Sequence, residues 1–246
     1  MTAEAIALVL HEALPLCTDD GKDQVAPAPP EPGTAASSDG RLDTTYPVSF
    51  GYKMTWLAIH SSDTSAVVAA LGLRAVRAVG WAGGIDAAYG DGPIGAHGVF
   101  VTPTVNGWTL VVGALPDAYA PEWLPFLAEL SRVCGEVQYF GTHRGVNYQA
   151  WARAVDGQVL RAYANGEGGF LDLGPKTAEE IALGFDFLGE QATEEDYAAY
   201  EERDQDSSPD EEDVVRLAGA WSIDPTQLDR EESQGFGVAG ELPSAD

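Results

Sequence analysis

The 246-residue chain predicts an α+β fold whose mainly antiparallel sheet is built from two hairpins, with helices covering one face and a disordered N-terminal leader. Three observations predict it. Asp156-Gly157 and Asn106-Gly107 each lie between two runs of apolar and β-favouring residues, the pattern of a two-residue turn that needs positive φ at both central positions. Segments of helical periodicity with recognisable start and stop residues flank those runs. The length suits one hydrophobic core with tails.

The leader is assigned to residues 1–50. Ala3 to Leu14 has the apolar content of a short helix, but a stretch rich in Pro, Ala, Ser and Gly follows it. Such a composition cannot bury enough apolar surface to offset the entropy of ordering. The α+β core is assigned to residues 51–189. Its first element is a buried strand, Met54 to Ile59. Ser61-Ser62-Asp63 then caps a helix carrying Val67, Val68 and Leu71, which Gly72 stops. Residues 80–98 contain seven glycines and are expected to form a long surface loop. Asp86 and Asp91 would repel a phosphate there, and no Gly-Lys-Ser/Thr ending is present.

The Asn106-Gly107 hairpin places Val101, Pro103, Val105, Trp108, Leu110 and Val112 on one face. Because Pro103 cannot donate to a ladder, its strand is expected to be an edge or bulged. Pro121 to Cys134 forms an amphipathic helix with Trp123, Leu124, Leu127, Leu130 and Cys134 as its stripe, ended by Gly135. In the Asp156-Gly157 hairpin, counting outward from the turn pairs Val155 with Gln158, Ala154 with Val159, Arg153 with Leu160, Ala152 with Arg161 and Trp151 with Ala162. Arg153 and Arg161 must snorkel or meet a carboxylate. Thr177 and Glu180 make a capping box for a short helix ending at Gly184.

Residues 190–246 are assigned to an acidic segment, a helix over about 209–221 that docks on the core, and a frayed end. Residues 190–213 hold twelve carboxylates against the lone Arg203. Ser208 is read as the N-cap of the helix, with Pro209 at its first position and Glu211 closing the box. Val214, Leu217, Ala218 and Trp221 then follow at helical spacing. Asp224-Pro225 starts one further turn.

The candidate chemistry is sparse. Cys134 lies at a helix C-terminus, whose partial negative charge disfavours a thiolate, so it is read as structural. His143 and Arg144 close a strand at the sheet rim and are the weak catalytic candidates. No G-x-S-x-G elbow, CxxC or HExxH occurs, so no metal site and no cofactor are predicted. With no apolar run near ~18 residues, no membrane span is expected. Ala3 to Leu10 is too short for a signal peptide and carries Glu4 where such a peptide has Lys or Arg, so the predicted compartment is the cytoplasm.

The segments around Trp56, from Gly135 to Tyr163, and from Asp210 to Leu228 resemble a set of proteins from high-GC bacteria, actinobacteria among them. The resemblance spans roughly residues 52–228. It implies that the region around Trp221 is part of the domain, and it carries no site residue over to this chain.

Charge decides the functional expectation. With 39 acidic and 13 basic residues, the net charge of −26 opposes binding to nucleic acid or to an anionic membrane and favours a basic protein partner. The expected role is a non-enzymatic interaction protein, immunity- or antitoxin-like. Its contacts are expected at Trp81 and Tyr89 and at Glu194, Glu195 and Asp196 within the acidic run Glu194–Asp213. The alternative is a hydrolase or transferase using His143, Arg144 and neighbouring carboxylates. An acidity shared by all proteins of the host would carry no partner meaning.

Overall fold

The computed structural model describes residues 44–89, 98–185, 187 and 209–243. Among them run nine strands and five α-helices. The strands are β1 (Met54–Ile59), β2 (Arg74–Val79), β3 (Gly98–Val101), β4 (Thr109–Gly113), β5 (Glu136–His143), β6 (Tyr148–Val155), β7 (Gln158–Gly166), β8 (Gly169–Leu173) and β9 (Gly237–Glu241). The helices are α1 (Thr64–Ala70), α2 (Trp81–Tyr89), α3 (Trp123–Cys134), α4 (Ala178–Ala182) and α5 (Glu211–Trp221). The strands form one antiparallel sheet in the order β2-β9-β3-β4-β1-β5-β6-β7-β8.

The fold is therefore mixed α and β, but the sheet is larger than two hairpins, and helices cover both of its faces. On one face α2 and α5 pack over Trp56, Phe100, Phe140, Trp151 and Tyr163; on the other, α1 and α3 pack over Leu57, Ile59, Val111, Tyr139 and the alanines of β6 and β7. The unbroken apolar runs of β1, β3 and β4 are the physical reason. A strand covered on one side alternates apolar with polar residues, whereas one covered on both sides does not need to.

Both predicted turns form, with φ of 48° and 84° at Asn106 and Gly107 and 48° and 85° at Asp156 and Gly157. The ladders beyond them slip by one residue. Val155 pairs with Gln158 and Ala154 with Val159, after which a bulge at Leu160 places Arg153 opposite Arg161, Ala152 opposite Ala162 and Trp151 opposite Tyr163. Likewise Val101 pairs with Val111 rather than Val112, past an irregular stretch containing Pro103. Each bulge inserts one unpaired residue, which counting from the turn does not foresee. Small groups now face small groups across β6 and β7, and Leu127 and Leu130 of α3 join that alanine floor.

Two further corrections share one cause. The glycine-rich stretch expected as a loop begins with helix α2 (residues 90–97 lie outside the described residues), and the end expected to fray contains β9, paired on both sides by β2 and β3. A Cβ on Gly84 would come within 2.3 Å of the Phe100 ring, and one on Gly237 within 2.4 Å of it. Phe100 is thus clasped between a helix and a strand whose glycines allow close approach rather than loop flexibility.

The leader boundary also moves. Phe50 is buried and its amide bonds to the Pro225 carbonyl, while the Trp81 amide bonds to that of Thr44, so residues 44–50 pack with the core. Helix α5 docks through Val214, Leu217, Ala218 and Trp221 as the periodicity indicated. Its cap is Asp210, boxed with Asp213, rather than Ser208 with Glu211. Both pairs have the capping spacing, and the later one wins. The predicted turn after Asp224 forms as a 3₁₀ segment over Pro225–Arg230. Strand β2, whose RAVRAV run is exposed except at Val79, carries little apolar signal and had no counterpart in the sequence reading.

Candidate functional site

At the end of the sheet where β1 begins and β5 finishes, an open cleft of about 700 Å³ is formed. Lys53, Met54 and Thr55 enter it from the start of β1, and Thr142, His143 and Val146 from the end of β5 and the turn beyond. The segment after β4 contributes Ala114, Asp117 and Tyr119, the β7–β8 turn Glu167 and Gly168, and the end of α2 Ala88 and Tyr89. This volume falls within the range of ligand sites, about 300–1,000 Å³.

Tyr119 and Tyr148 form one wall, with the buried Tyr139 behind them. The Tyr119 ring lies edge-on to Tyr148, with centroids 6.0 Å apart, and its hydroxyl donates to the Gly169 carbonyl at 2.9 Å. The Tyr148 and Tyr139 hydroxyls share a hydrogen bond of 3.1 Å. Asp117 accepts from the Tyr119 amide through Oδ1 at 2.8 Å, which holds this carboxylate beside the wall. Burial, then the charge of Asp117, pushes the Tyr119 hydroxyl up to about 12. Burial also holds Tyr139 and Tyr148 above the ordinary tyrosine value, with Asp117 adding to the rise in both.

Beside the cleft lies an acidic, aromatic face. Tyr89 is exposed and donates from its hydroxyl to the Tyr52 carbonyl at 3.0 Å. Tyr52 is likewise exposed. Partial burial, then the carboxylates of Glu212, Glu211, Asp224 and Asp210 in that order, hold its hydroxyl above its ordinary value. These acids cluster because Asp210 and Asp213 box the start of α5 and Asp224 caps the next turn. An acid-rich first turn is where the helix dipole tolerates negative charge best.

A separate ionic cluster is sealed inside the molecule. Arg161 and Glu180 are both buried, and Nε and Nη2 of Arg161 donate to Glu180 at 2.9–3.0 Å. Nη1 donates to Asp172 and to the Ala162 and Leu173 carbonyls. Glu180 also accepts from the Trp151 indole at 2.9 Å and the Thr177 amide at 2.7 Å. Burial pulls the Arg161 guanidinium down, but the bonds and charge of Glu180, and then of Asp172, reverse this and hold it above its ordinary value. With every strong group partnered, the cluster ties α4 to the sheet.

The sequence-predicted residues separate. His143 is exposed at the cleft rim, and among the described residues no carboxylate lies within hydrogen-bond reach of its ring. Arg144, also exposed, turns away to pair with Glu211 at 3.3 Å. Trp81 is fully buried, edge-on to Phe100, so it is a core side chain and presents no surface anchor. Tyr89 stands on the acidic face, whereas Glu194, Glu195 and Asp196 lie outside the described residues. Cys134 is a free, half-buried thiol whose pKa is pushed up by burial. Among the described residues no group of three or more His, Cys, Asp or Glu converges as a metal site, and no helix is long and apolar enough to cross a membrane.

The sequence reading missed Tyr52, Asp117, Tyr119 and Glu167. Each stands in a loop or turn, where neither periodicity nor spacing marks it. The cleft and its face combine aromatic surface with carboxylates, of which Asp117 is held by the Tyr119 amide. No family model, curated protein or solved structure matches the chain.

Proposed function

We propose that this chain is a non-enzymatic interaction protein that captures a basic protein partner in the cytoplasm, in the manner of an immunity or antitoxin protein. The single observation that carries this reading is the exposed Tyr52, joined to the exposed Tyr89 and within reach of the charges of Glu212, Glu211, Asp224 and Asp210. Tyrosine is enriched among the residues that dominate protein interfaces. A surrounding field of one sign steers an oppositely charged partner to that patch and raises its association rate. The net charge of −26 extends the attraction to the whole molecule.

An acetylated, amidated hexa-arginine peptide serves as the probe, with binding measured by calorimetry. The wild-type chain binds it at about 0.01 M salt and loses most of that affinity at about 0.15 M, as the screening length falls from about 30 Å to about 8 Å. Tyr52→Ala and Glu212→Gln each weaken binding, while an Asp63→Asn control, at the cap of α1, leaves it unchanged. No binding at low salt, or binding indifferent to salt and to both variants, overturns the reading.

A further inference from the structure

We infer that the cleft beside this face is an arginine pocket: it takes one guanidinium side chain of the basic partner, between Asp117 and Glu167 and against the rings of Tyr119 and Tyr148. The inference rests on the interaction reading above and gives that face its specificity element.

Three observations carry it. First, the cleft and the face are continuous, because Tyr89 lines the cleft and bonds to the Tyr52 backbone. A peptide held on the acidic face therefore reaches the cleft with an adjacent side chain. Second, the pocket joins aromatic surface to fixed negative charge. Asp117 lines the same cleft as Tyr119 and Tyr148, with its carboxylate held by the Tyr119 amide at 2.8 Å, and Glu167 adds a second acid from the β7–β8 turn. A planar, weakly hydrated guanidinium stacks on an aromatic ring while bonding to carboxylates; a compact ammonium does this less well. Third, the same chain already solves this recognition problem internally. Arg161 lies between Glu180 and Asp172, with its guanidinium carbon 5.8 Å from the Phe187 ring centroid.

Lys53 and His143 also line the cleft, from β1 and β5. As hydrogen-bond donors they suit the partner's main-chain carbonyls, while the guanidinium belongs with Asp117 and Glu167. The presence of Lys53 also disfavours a simple run of cations along the whole cleft, which is why one side chain is assigned to it.

The test titrates the ¹⁵N-labelled full chain with Nα-acetyl-arginine amide, and in parallel with the neutral isostere Nα-acetyl-citrulline amide, following amide shifts by NMR. The arginine compound moves the resonances of Asp117, Tyr119, Tyr148 and Glu167, and the citrulline compound does not. Asp117→Asn, which keeps the Oδ1 acceptor for the Tyr119 amide, and Glu167→Gln each weaken arginine binding about tenfold. The spectrum of each variant reports its folding directly. Equal shifts from both compounds, or shifts confined to residues outside the cleft, overturn the inference. If hexa-arginine binds in a salt-dependent way but binds Asp117→Asn and Glu167→Gln as tightly as wild type, the pocket falls and the acidic face stands. If hexa-arginine does not bind the wild type at low salt, the interaction reading itself falls.

Discussion

Two regions of this molecule set a pair of carboxylates against aromatic rings, and they differ in whether, among the described residues, a cation of the chain closes on that pair. In the sealed region, Glu180 and Asp172 close on Arg161 beneath Trp151, and both the acid and the base are withdrawn from water. In the open region, Asp117 and Glu167 stand beside Tyr119 and Tyr148 in a cleft, and both acids are exposed. Burying charge is tolerable only when hydrogen bonds satisfy each group, and the sealed cluster meets that condition. The open pair remains hydrated and needs no such compensation, which leaves it available to an outside cation. On the proposed reading, similar groups serve stability where they are enclosed and recognition where they are not.

The sharpest way to break the contrast is to remove one sealed partner. Glu180→Ala leaves Arg161 buried with half its counter-charge missing and also removes one of the two bonds of the capping box, so the loss should be ~3–5 kcal/mol. Urea unfolding measures it. The paired replacement Arg161→Met with Glu180→Leu should recover much of that loss, because exchanging a buried ion pair for apolar groups of similar volume is often neutral. If Glu180→Ala unfolds at the wild-type midpoint, the cluster is not the stabilising element described.

A smaller effect comes from Trp151→Phe. The ring stack on Tyr163, at 4.2 Å between centroids, is largely kept, but Glu180 loses the indole donor. With Arg161 still bound, the cost should be about 1–2 kcal/mol by the same measurement. A loss as large as that of Glu180→Ala would show that ring packing, rather than the ionic cluster, dominates there.

The open region should reveal itself through alkaline pH. Burial and Asp117 keep the Tyr119 hydroxyl protonated in the fold to about 12, whereas an unfolded tyrosine ionises near 10. Between those values the unfolded chain has released a proton that the folded chain retains, so stability falls as pH rises. Below about 10 the contribution is complete. Tyr139 and Tyr148, also raised, act in the same direction. Melting temperatures followed from about pH 9 to about pH 11.5 should decline, and less steeply in Tyr119→Phe. An identical slope in that variant would remove Tyr119 from the explanation.

How far each region was legible in the sequence follows from the same physics. The sealed cluster left signs: Glu180 at capping spacing from Thr177, and Arg161 in a strand where it had to snorkel or meet a carboxylate. That these were one feature could not be read, because the bulge at Leu160 sets the register and a bulge has no sequence period. Cap and turn residues were legible at Asp63, Asp156-Gly157 and Thr177, where local backbone chemistry decides the structure. Helix α2 and strand β9 were not, because Gly84 and Gly237 are there for a tertiary reason, the approach of Phe100. The open site was the least legible. Asp117 and Tyr119 come from one loop and Glu167 from another far along the chain, and only the assembled sheet brings them together. His143 and Arg144 stand at a strand end as expected, yet no local rule revealed that Arg144 pairs with Glu211.

That pair supplies the smallest predicted effect. Arg144 and Glu211 are joined on the surface at 3.3 Å with the arginine side chain 68% exposed, so water and salt already screen the attraction. Arg144→Ala should change stability by no more than ~0.5 kcal/mol, and less at high salt. Glu211 keeps a bond from Thr142 at 3.3 Å, so α5 should not shift. The informative readout is binding. Removing Arg144 frees one carboxylate on the acidic face, so the variant should bind hexa-arginine somewhat more tightly than wild type at low salt and equally at high salt. Weaker binding would mean that Arg144 contacts the partner itself, and the face would then be one of mixed charge. Unchanged stability with tighter binding would show that an ion pair at the surface restrains recognition, while its buried counterpart at Arg161 holds the fold.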